Sequence, residues 1–307
     1  MIGLTKYWLE PVIYLYPNQT HATESVKEGG TGFLVSVPFS ATETEGRDWV
    51  HTFAVSNHHV INSAPVLRIN AVEEGSRPIT LNVDDWIPHP SGDDIAVAQI
   101  FVSDLEVKRR SIPISMFARE EDIEDDRISL GDDVFMIGRY SNSEGDGVNH
   151  PTVRHGMISQ VGVSVHQKPR AHNQDSILAE MHSLPGYSGS PVFTYRSGSV
   201  GMSADGTERL VYMPQVASPI YLLGVDWGHQ SHPQPIESND RHLQNERRRG
   251  TYVQGQAGIA LVVPAWKLAE LLESEEVMEK REQLEALGVV HARKLEAEKA
   301  LSDPPDR

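Results

Sequence analysis

Short apolar runs separated by turn-forming residues recur along most of the chain and determine its predicted secondary structure. Runs of this length, bounded by glycine, proline and polar clusters, are typical of β-strands. They lie at residues 32–38, 50–55, 65–70, 78–82, 95–101, 133–138, 157–164, 176–181, 191–195, 210–213, 219–226 and 258–263. This pattern predicts an all-β protein.

The pattern changes after Pro264, a residue that suits the first turn of a helix. Apolar residues then recur at helical spacing, at Trp266, Leu268, Leu271, Leu272, Val277, Leu284 and Leu287. They predict a C-terminal helix that Gly288 ends or interrupts. We expect residues 265–275 to pack on the preceding strands. The charged segment from Glu276 onward is either a mobile or partner-docking helix or a solvated helical tail.

Two stretches lack an apolar period. Residues 119–127 (REEDIEDDR) are mostly charged, which predicts a solvated crossover rather than a catalytic pair of carboxylates. Residues 230–258 are rich in polar residues and include three successive arginines, Arg247, Arg248 and Arg249. We expect this second stretch to be a long surface loop, a kind of segment that often carries function.

Composition limits the classes of function. A chain of 307 residues can form one large or two small cores. Its net charge of −16 argues against non-specific binding to nucleic acid or to anionic membranes, because both require clustered Lys and Arg. The absence of cysteine excludes disulfides, thiolate catalysis and sulfur-ligated metals.

The N-terminal stretch resembles neither a signal peptide nor a membrane span. Its apolar residues are interrupted by Lys6, Glu10 and Pro11, and no basic segment precedes a continuous apolar stretch. Nowhere does the chain approach the roughly 18 consecutive apolar residues that a membrane span needs. We therefore expect a soluble, cytoplasmic protein.

Residues 184–191 (LPGYSGSP) place a serine in a tight glycine turn. Pro185 suits position i+1 of a turn, and Gly186 can adopt the positive φ that a type II turn requires at the next position. The N–H groups of Gly186 and Ser188 could then converge on one developing negative oxygen, as acyl transfer requires. This geometry makes Ser188 a candidate nucleophile.

Two upstream segments offer the partners that a serine nucleophile needs. Residues 53–60 (FAVSNHHV) form an apolar strand that leads into two histidines, and residues 92–100 (GDDIAVAQI) place carboxylates ahead of another strand. A buried carboxylate beside an imidazole fixes its tautomer and stabilises the imidazolium. The resulting chain order of His, Asp and Ser is that of chymotrypsin, and it differs from subtilisin and the α/β-hydrolases.

Four further segments complete a resemblance to the chymotrypsin-fold, trypsin-like serine proteases. They are residues 30–35 (GTGFLV), 131–138 (GDDVFMIG), 223–228 (LGVDWG) and 258–264 (GIALVVP). With the three segments above, seven motifs follow the family's order over about residues 28–275. The chain is most similar to bacterial peptidase domains of the HtrA type, here without a PDZ domain. Secreted animal proteases of this fold usually carry disulfides, and this chain has no cysteine.

The resemblance implies two six-stranded Greek-key β-barrels followed by a C-terminal α-helix. The implied segments are an N-terminal arm (1–27), a first barrel (28–118), an acidic crossover (119–130), a second barrel (131–264) and a helix with a tail (265–307). By the same resemblance, residues 30–35 form the first strand of the first barrel.

The resemblance also assigns the catalytic residues. It selects His59, which directly precedes the valine of its turn, and Asp94, which directly precedes the Ile-Ala-Val run. His58 and Asp93 remain the alternatives if the register differs by one residue. Ser188 is the implied nucleophile, and the amides of Gly186 and Ser188 are the implied oxyanion hole.

A substrate-binding pocket follows from the same alignment of motifs. The resemblance places His182, Trp227, Gly228 and Gly258 around the side chain that precedes the scissile bond. His182 stands where a protease specific for basic residues would have aspartate, so we expect poor cleavage after Lys or Arg. Apolar residues are the expected choice, with acidic ones as an alternative if His182 is protonated. Asp226 stands where the family often has a serine that touches the catalytic carboxylate, and there it would repel Asp94 or share a proton with it.

These observations favour a serine endopeptidase that acts on polypeptides without a metal or organic cofactor. A protease-like binding module with little turnover is the alternative. His229 and His232 are spaced like metal ligands, but no third ligand is evident, so we interpret them as part of a solvated loop. A regulatory protein partner could dock on the C-terminal helix or on residues 230–258.

Overall fold

A computed structural model describes most of the chain. The described residues are 3–26, 28–40, 49–101, 107–108, 110–140, 147–167, 171–196, 201–202, 208–209, 219–235 and 252–287. In this part of the chain, no helix is long and apolar enough to cross a membrane.

The first half of the chain forms a single sheet of eight strands. They are β1 (Val12–Tyr16), β2 (Gly30–Pro38), β3 (Val50–Ser56), β4 (Val66–Asn70), β5 (Ser76–Ile79), β6 (Ile87–Pro88), β7 (Ala96–Gln99) and β8 (Ile112–Pro113). The strand order is β5-β4-β1-β2-β3-β7-β6, with antiparallel pairing, and β8 pairs in parallel with β2. The sequence predicts six strands here. The structure has six longer strands and two further strands, β6 and β8, that are each two residues long.

The second half forms a closed six-stranded barrel, as expected. Its strands are β9 (Asp133–Gly138), β10 (Thr152–Gln167), β11 (His172–Glu180), β12 (Pro191–Tyr195), β15 (Tyr221–Pro235) and β16 (Tyr252–Pro264). They close in the order β10-β11-β16-β15-β12-β9, and β13 (Gly201–Met202) pairs with β14 (Glu208–Arg209) outside the barrel. The two-barrel, chymotrypsin-like fold predicted from the sequence is therefore confirmed.

Both faces of the first sheet are buried, and this joins the two barrels. One face, with Ile13, Leu34 and Leu67, forms a core of its own. The other face, with Phe33 and Val55, belongs to a larger core that continues through the second barrel. The cleft between the barrels is thus backed by continuous apolar packing, which fixes the relative position of the residues along it.

Strand β1 corrects the expectation that residues 1–27 are an arm outside the first barrel. It pairs with β2 from Val12↔Phe33 to Leu15↔Gly30, and its other edge pairs with β4. All five of its residues are buried. Because neither face of β1 meets water, its sequence shows no alternation, and residues 30–35 are not the first strand of the sheet.

The predicted loop at residues 230–258 is also corrected in part. Residues 231–235 and 252–256 extend β15 and β16 as an antiparallel ladder, with pairs from Ser231↔Gln256 to Pro235↔Tyr252. Backbone pairing therefore continues where the side-chain pattern is polar. The three arginines at 247–249 lie outside the described residues.

Three short helices connect strands, and one of them lies in the predicted crossover. They are α1 (Gln19–Glu24), α2 (His58–Ile61) and α3 (Glu120–Glu124). Single 3₁₀ turns occur at Lys6–Trp8, Val83–Asp85 and Ile114–Met116. Within α3, Asp122 is buried, caps the Arg119 N–H at 2.8 Å and pairs with Arg127 at 2.8 Å, so this carboxylate is not solvated as the sequence suggests.

The predicted C-terminal helix is present, but the residues after it differ from the prediction. Helix α4 (Ala265–Leu272) begins after Pro264 and buries Ala265, Leu268, Leu271 and Leu272. Residues 275–287, called here the terminal helix, continue as a second helix and bury Val277 and Glu285. Glu285 contacts His51 of the first sheet, so residues 276–287 are anchored there rather than extended into solvent. Gly288 lies outside the described residues.

Candidate active site

The predicted turn around the candidate nucleophile is present. The Tyr187 N–H donates to Leu184 O at 3.1 Å, and Gly186 between them has φ of +98°. A positive φ at the residue after proline is the geometry that only glycine adopts readily. Ser188 follows directly and is half-buried.

The amides beside Ser188 are oriented by the first sheet. Thr31 on β2 donates its N–H to Ser188 O at 2.9 Å and its hydroxyl to Gly186 O at 2.6 Å. In the described part of the chain, the N–H groups of Gly186 and Ser188 donate to no backbone carbonyl. Amides without a backbone acceptor, in a turn held by its carbonyls, are free to donate to another group.

Close packing behind the serine requires Gly189. This residue has φ of +89°, and a Cβ on it would collide with Thr31 O and Ser56 Oγ. The Ser56 hydroxyl itself donates to Thr31 O at 2.7 Å. The strands β2 and β3 therefore form the surface against which the turn is held.

Tyr187 anchors the turn from the other side. Its ring is fully buried, and its hydroxyl bonds Thr152 Oγ1 and accepts from Arg154 Nε at 3.1 Å. A buried tyrosine with a satisfied hydroxyl fixes the backbone on either side of it. The turn is thus held at both Gly186 and Ser188 and by the side chain between them.

The structure joins His59 to Asp94. His59 Nδ1 lies 2.5 Å from Asp94 Oδ2, and the His59 N–H donates to Asp94 Oδ1 at 3.0 Å. Helix α2, which directly follows β3, carries His59 and aims its backbone at the carboxylate. With Nδ1–H donating to the carboxylate, Nε2 carries the lone pair of the neutral imidazole.

Burial of the pair is asymmetric. The Asp94 side chain is 3% exposed and the His59 side chain is 45% exposed. Solvent therefore reaches the imidazole on the side away from Asp94. The buried carboxylate holds the ring from behind, the arrangement that stabilises an imidazolium.

The alternative register is not the one that the structure forms. Asp93 accepts from Gln174 Nε2 at 2.8 Å and lies 3.2 Å from His89 Nδ1. His58 is half-buried one position before His59. The carboxylate that contacts the exposed histidine is therefore that of Asp94.

Ser188 and the histidine helix meet at Gly30. A Cβ placed on Gly30 would lie 2.7 Å from a Val60 γ-carbon and 3.1 Å from Ser188 O. Val60 directly follows His59, so one strand position separates the histidine helix from the serine turn. The missing side chain of Gly30 allows this approach.

The structure brings two of the four predicted pocket residues, His182 and Gly258, close together. His182 is exposed, and a Cβ on Gly258, which has φ of +76°, would lie 3.7 Å from its ring. A Cβ on Gly228 would meet nothing within 4 Å. Trp227 is half-buried and donates its indole N–H to Ser176 Oγ at 3.1 Å.

Asp226 contacts the segment that follows His182. Its carboxyl is fully buried and accepts from Ser183 Oγ at 2.9 Å. Burial raises the pKa of Asp226 to about 7, and the Ser183 hydroxyl and Gly228 N–H only partly offset it. In the described part of the chain, Asp226 Oδ1 has no hydrogen-bond partner.

Three residues that position the site were missed from the sequence. Thr31 holds the serine turn, Asn57 donates to Asp94 O at 2.8 Å, and Gln174 accepts from the Asp94 N–H at 2.8 Å. Asn57 lies in the histidine motif at residues 53–60, and Thr31 lies between two glycines of the motif at residues 30–35. The sequence around both residues could therefore have indicated their positions near the site. Gln174 lies in a polar run with no such signal. Among the described residues, no cluster of three or more His, Asp or Glu has the arrangement of a metal site.

Two antiparallel barrels with a His–Asp pair on one and a glycine-flanked serine turn on the other define a protein of the trypsin-like class. The family model of the trypsin-like peptidase domain matches residues 30–202, more than half of the chain. The chain therefore belongs to the trypsin-like peptidase domain family, and it is a hydrolase domain of the protease type. A comparison with curated protein sequences gave no match.

Solved structures of proteases resemble the chain at low identity. The MamO protease domain from Magnetospirillum magneticum is 12% identical over 87% of this chain and 97% of its own, with a TM-score of 0.47. The Rv3671c protease in an inactive form is 17% identical over 87% and 90%, with a TM-score of 0.42. The HtrA-type protease AlgW is 19% identical over 86% and 60%, with a TM-score of 0.40.

Proposed function

We propose that the protein is a serine endopeptidase that hydrolyses polypeptides through an acyl-enzyme on Ser188. The observation that carries this proposal is the contact of His59 Nδ1 with buried Asp94 while the rest of the imidazole is open to solvent. A general base held by a buried carboxylate and open on its other side requires this arrangement. The family membership of the chain supports the same conclusion.

In the proposed acylation step, Ser188 Oγ attacks the scissile carbonyl carbon as its proton moves to His59 Nε2. The C–N bond then breaks, and His59 gives the proton to the leaving amine. Asp94 remains ionised and stabilises the imidazolium. In deacylation, water replaces Ser188 as the nucleophile, and its proton follows the same route through His59 to Ser188 Oγ.

The negative oxygen of each tetrahedral intermediate lies between the amides of Gly186 and Ser188 in this proposal. Removal of one such donor typically costs 10²–10³ in kcat in other enzymes, about 3–4 kcal/mol. Here both donors are backbone groups, so their placement depends on Thr31 and Tyr187, which hold the turn. Neither a metal nor an organic cofactor has a part in this proposed mechanism.

We infer that apolar side chains precede the scissile bond in good substrates. His182 is exposed and lies beside Gly258, Trp227 is half-buried, and a Cβ on Gly228 would meet no other atom within 4 Å. The Asp226 carboxyl is fully buried, and its raised pKa leaves it largely without charge below neutral pH, so it offers a cationic side chain little compensation. Acidic side chains, with His182 as their partner, are the alternative. A peptide library with dominant cleavage after Lys or Arg would contradict this inference.

The test is covalent labelling of the purified protein with a fluorophosphonate probe, followed by intact-mass spectrometry. The parent protein should gain one adduct, and Ser188→Ala should gain none. His59→Ala should slow labelling by at least about 10³-fold, because the serine loses its base. Ser190→Ala is the matched control, since Ser190 is fully buried two residues away and should not affect labelling.

Peptide turnover separates the proposal from its alternative. If Ser188→Ala and His59→Ala each remove nearly all turnover and the double variant is little worse, the residues act as one unit. A folded parent protein that neither takes the probe nor cleaves peptides would instead be a binding module. Loss of activity in His58→Ala with retention in His59→Ala would show that the register is wrong.

A further inference from the structure

Gln174 is a fully buried amide on β11 of the second barrel that reaches into the first barrel. Its Oε1 accepts the backbone N–H of Asp94 at 2.8 Å. Asp94 lies just ahead of β7, so this hydrogen bond crosses from one barrel to the other. A buried polar side chain that bridges two halves of a site is placed to determine their relative position.

All the hydrogen-bonding capacity of this amide is used. Oε1 also accepts from Gln167 Nε2 at 3.0 Å, and Nε2 donates to Asp93 Oδ1 at 2.8 Å and to Asp175 O at 3.0 Å. A flipped amide would set N–H groups against the Asp94 N–H and the Gln167 amide, so one orientation alone satisfies the partners. The position of Asp94 is thus specified by a rigid group.

The other backbone polar group of Asp94 is held as well. Asn57 Nδ2 donates to Asp94 O at 2.8 Å, and Asn57 directly precedes the helix that carries His59. The first barrel therefore holds the carbonyl of Asp94 and the second barrel holds its N–H. Asp93 receives a further contact from His172 Nε2 at 3.4 Å, also from β11.

This division matters because the proposed catalytic residues are split between the barrels. His59 and Asp94 lie on the first, and Ser188 lies on the second, three residues before β12 begins at Pro191. A slip of one barrel against the other would move the imidazole away from the serine without breaking the His59–Asp94 pair. Misplacement of about 1 Å in such a site can reduce turnover by about 10²-fold.

We propose that Gln174 is a positioning residue that sets the His59–Asp94 pair of the first barrel against Ser188 of the second. The proposal rests on the serine-endopeptidase function proposed above. Gln174 itself touches neither substrate nor the reacting atoms. Its effect on the reaction passes through the backbone of Asp94.

The first variant is Gln174→Met, which retains the length of the side chain and removes its hydrogen bonds. We expect kcat to fall by about 10- to 100-fold with KM changed by less than about threefold, because substrate contacts remain while the reacting groups move apart. The one-bond ¹H–¹⁵N signal of the Asp94 amide and the Nδ1–H signal of His59 should both shift. These NMR signals do not depend on turnover.

Thr194→Val is the matched control. Thr194 is buried and donates to Asp133 O at 3.1 Å, so its hydrogen bond stays within the second barrel. Its free energy of unfolding, measured in urea, should fall by an amount comparable to that of Gln174→Met. Its kcat and the position of the His59 Nδ1–H signal should not change. If Gln174→Met resembles the control in all three measurements, the role of Gln174 is structural only and the proposal is overturned.

If Gln174→Met does not fold, a second pair of variants, Gln174→Glu alone and together with Asp93→Asn, tests the proposal. Gln174→Glu retains an acceptor for the Asp94 N–H but sets a carboxylate against Asp93, so kcat should fall. Adding Asp93→Asn restores a donor between the two positions and should recover at least about tenfold of the loss, a rescue that double-mutant coupling measures. No recovery, with both variants folded, contradicts the proposal.

The two proposals fail in different ways. If the parent protein takes no fluorophosphonate and cleaves no peptide, the proposed function fails. The Asp94 amide and His59 Nδ1–H signals then still decide whether Gln174 sets the pair. If the parent is active and Gln174→Met retains its kcat within twofold, the positioning role alone is wrong.

Discussion

At the scale of single residues, Asp226 is a carboxyl group that folding removes from water. Its pKa rises from 3.8 to about 7 because burial penalises the charged form. Between these two values the unfolded chain has lost the proton while the folded protein retains it. Folding is therefore coupled to proton uptake, and the free energy of unfolding falls as pH rises from about 4 to 7.

We expect Asp226→Asn to remove this dependence. Relative to the parent, the variant should gain stability on going from pH 4 to pH 8, by an amount on the order of 4 kcal/mol for a pKa shift of this size. Urea unfolding at the two pH values measures the change. Asp84→Asn, at an exposed position, is the control and should leave the pH dependence of the parent intact. An unchanged dependence in Asp226→Asn would show that the carboxyl ionises normally in the folded state.

At the scale of elements, the terminal helix is tied to the first sheet by one carboxylate. Glu285 lies 2.8 Å from His51 Nε2 and accepts from the Ser40 N–H at 3.0 Å. His51 stacks on Phe39 with ring centroids 4.2 Å apart, and its Nδ1 lies 3.0 Å from Gln99 Nε2. The helix thus completes a hydrogen-bond network that begins on strand β3.

Removal of this carboxylate should destabilise the protein and leave the catalytic residues in place. Glu285→Ala leaves the buried His51 imidazole without its partner, which typically costs about 1–3 kcal/mol. The Ser40 N–H also loses its acceptor, but Ser40 is exposed and water can replace it. Glu282→Ala, on the exposed face of the same helix, should change the free energy of unfolding by less than about 0.5 kcal/mol. Chemical denaturation of the two variants checks the difference. A chain cut after Leu287 retains Glu285 and should keep the stability and activity of the parent; equal stability of both alanine variants would contradict the proposed anchor.

The sequence indicates those elements whose cause is local. The turn at Pro185 and Gly186 was predictable because proline and glycine set its dihedral angles without distant partners. Strand β1 was missed because burial on both faces removes alternation, and the outer part of the β15–β16 hairpin was missed because its polar residues pair through the backbone. Gln174 and Glu285 resemble ordinary surface residues in the sequence, since their partners lie tens to hundreds of positions away.

At the scale of the whole molecule, the two barrels share one apolar core. Residues of the first sheet such as Phe33 and Val55 belong to the same buried cluster as Phe135 and Phe193 of the second barrel. The outer face of the first sheet therefore has no stable environment without the second barrel. The two barrels are formed by successive parts of the chain, but we expect them to fold as one cooperative unit because they share this core.

We expect a single cooperative unfolding transition that coincides for near-UV circular dichroism, intrinsic fluorescence and calorimetry. Residues 1–130 expressed alone should expose the face that carries Phe33 and Val55, and should bind a hydrophobic dye or aggregate. The full chain under the same conditions is the control. Two resolved transitions, or a fragment with native-like dispersion of its NMR signals, would show that the barrels fold independently.

Hydrogen–deuterium exchange at the Thr31 amide can report on contact between the two barrels. Its amide hydrogen is the one that reaches across the cleft to the carbonyl oxygen of Ser188. Any breathing motion that draws the serine turn away from the first barrel must release this hydrogen to exchange with deuterium in the solvent. The uptake rate at a single amide therefore reports how often the cleft opens in the resting protein, and binding of a tight inhibitor across the two barrels would be recorded there as protection.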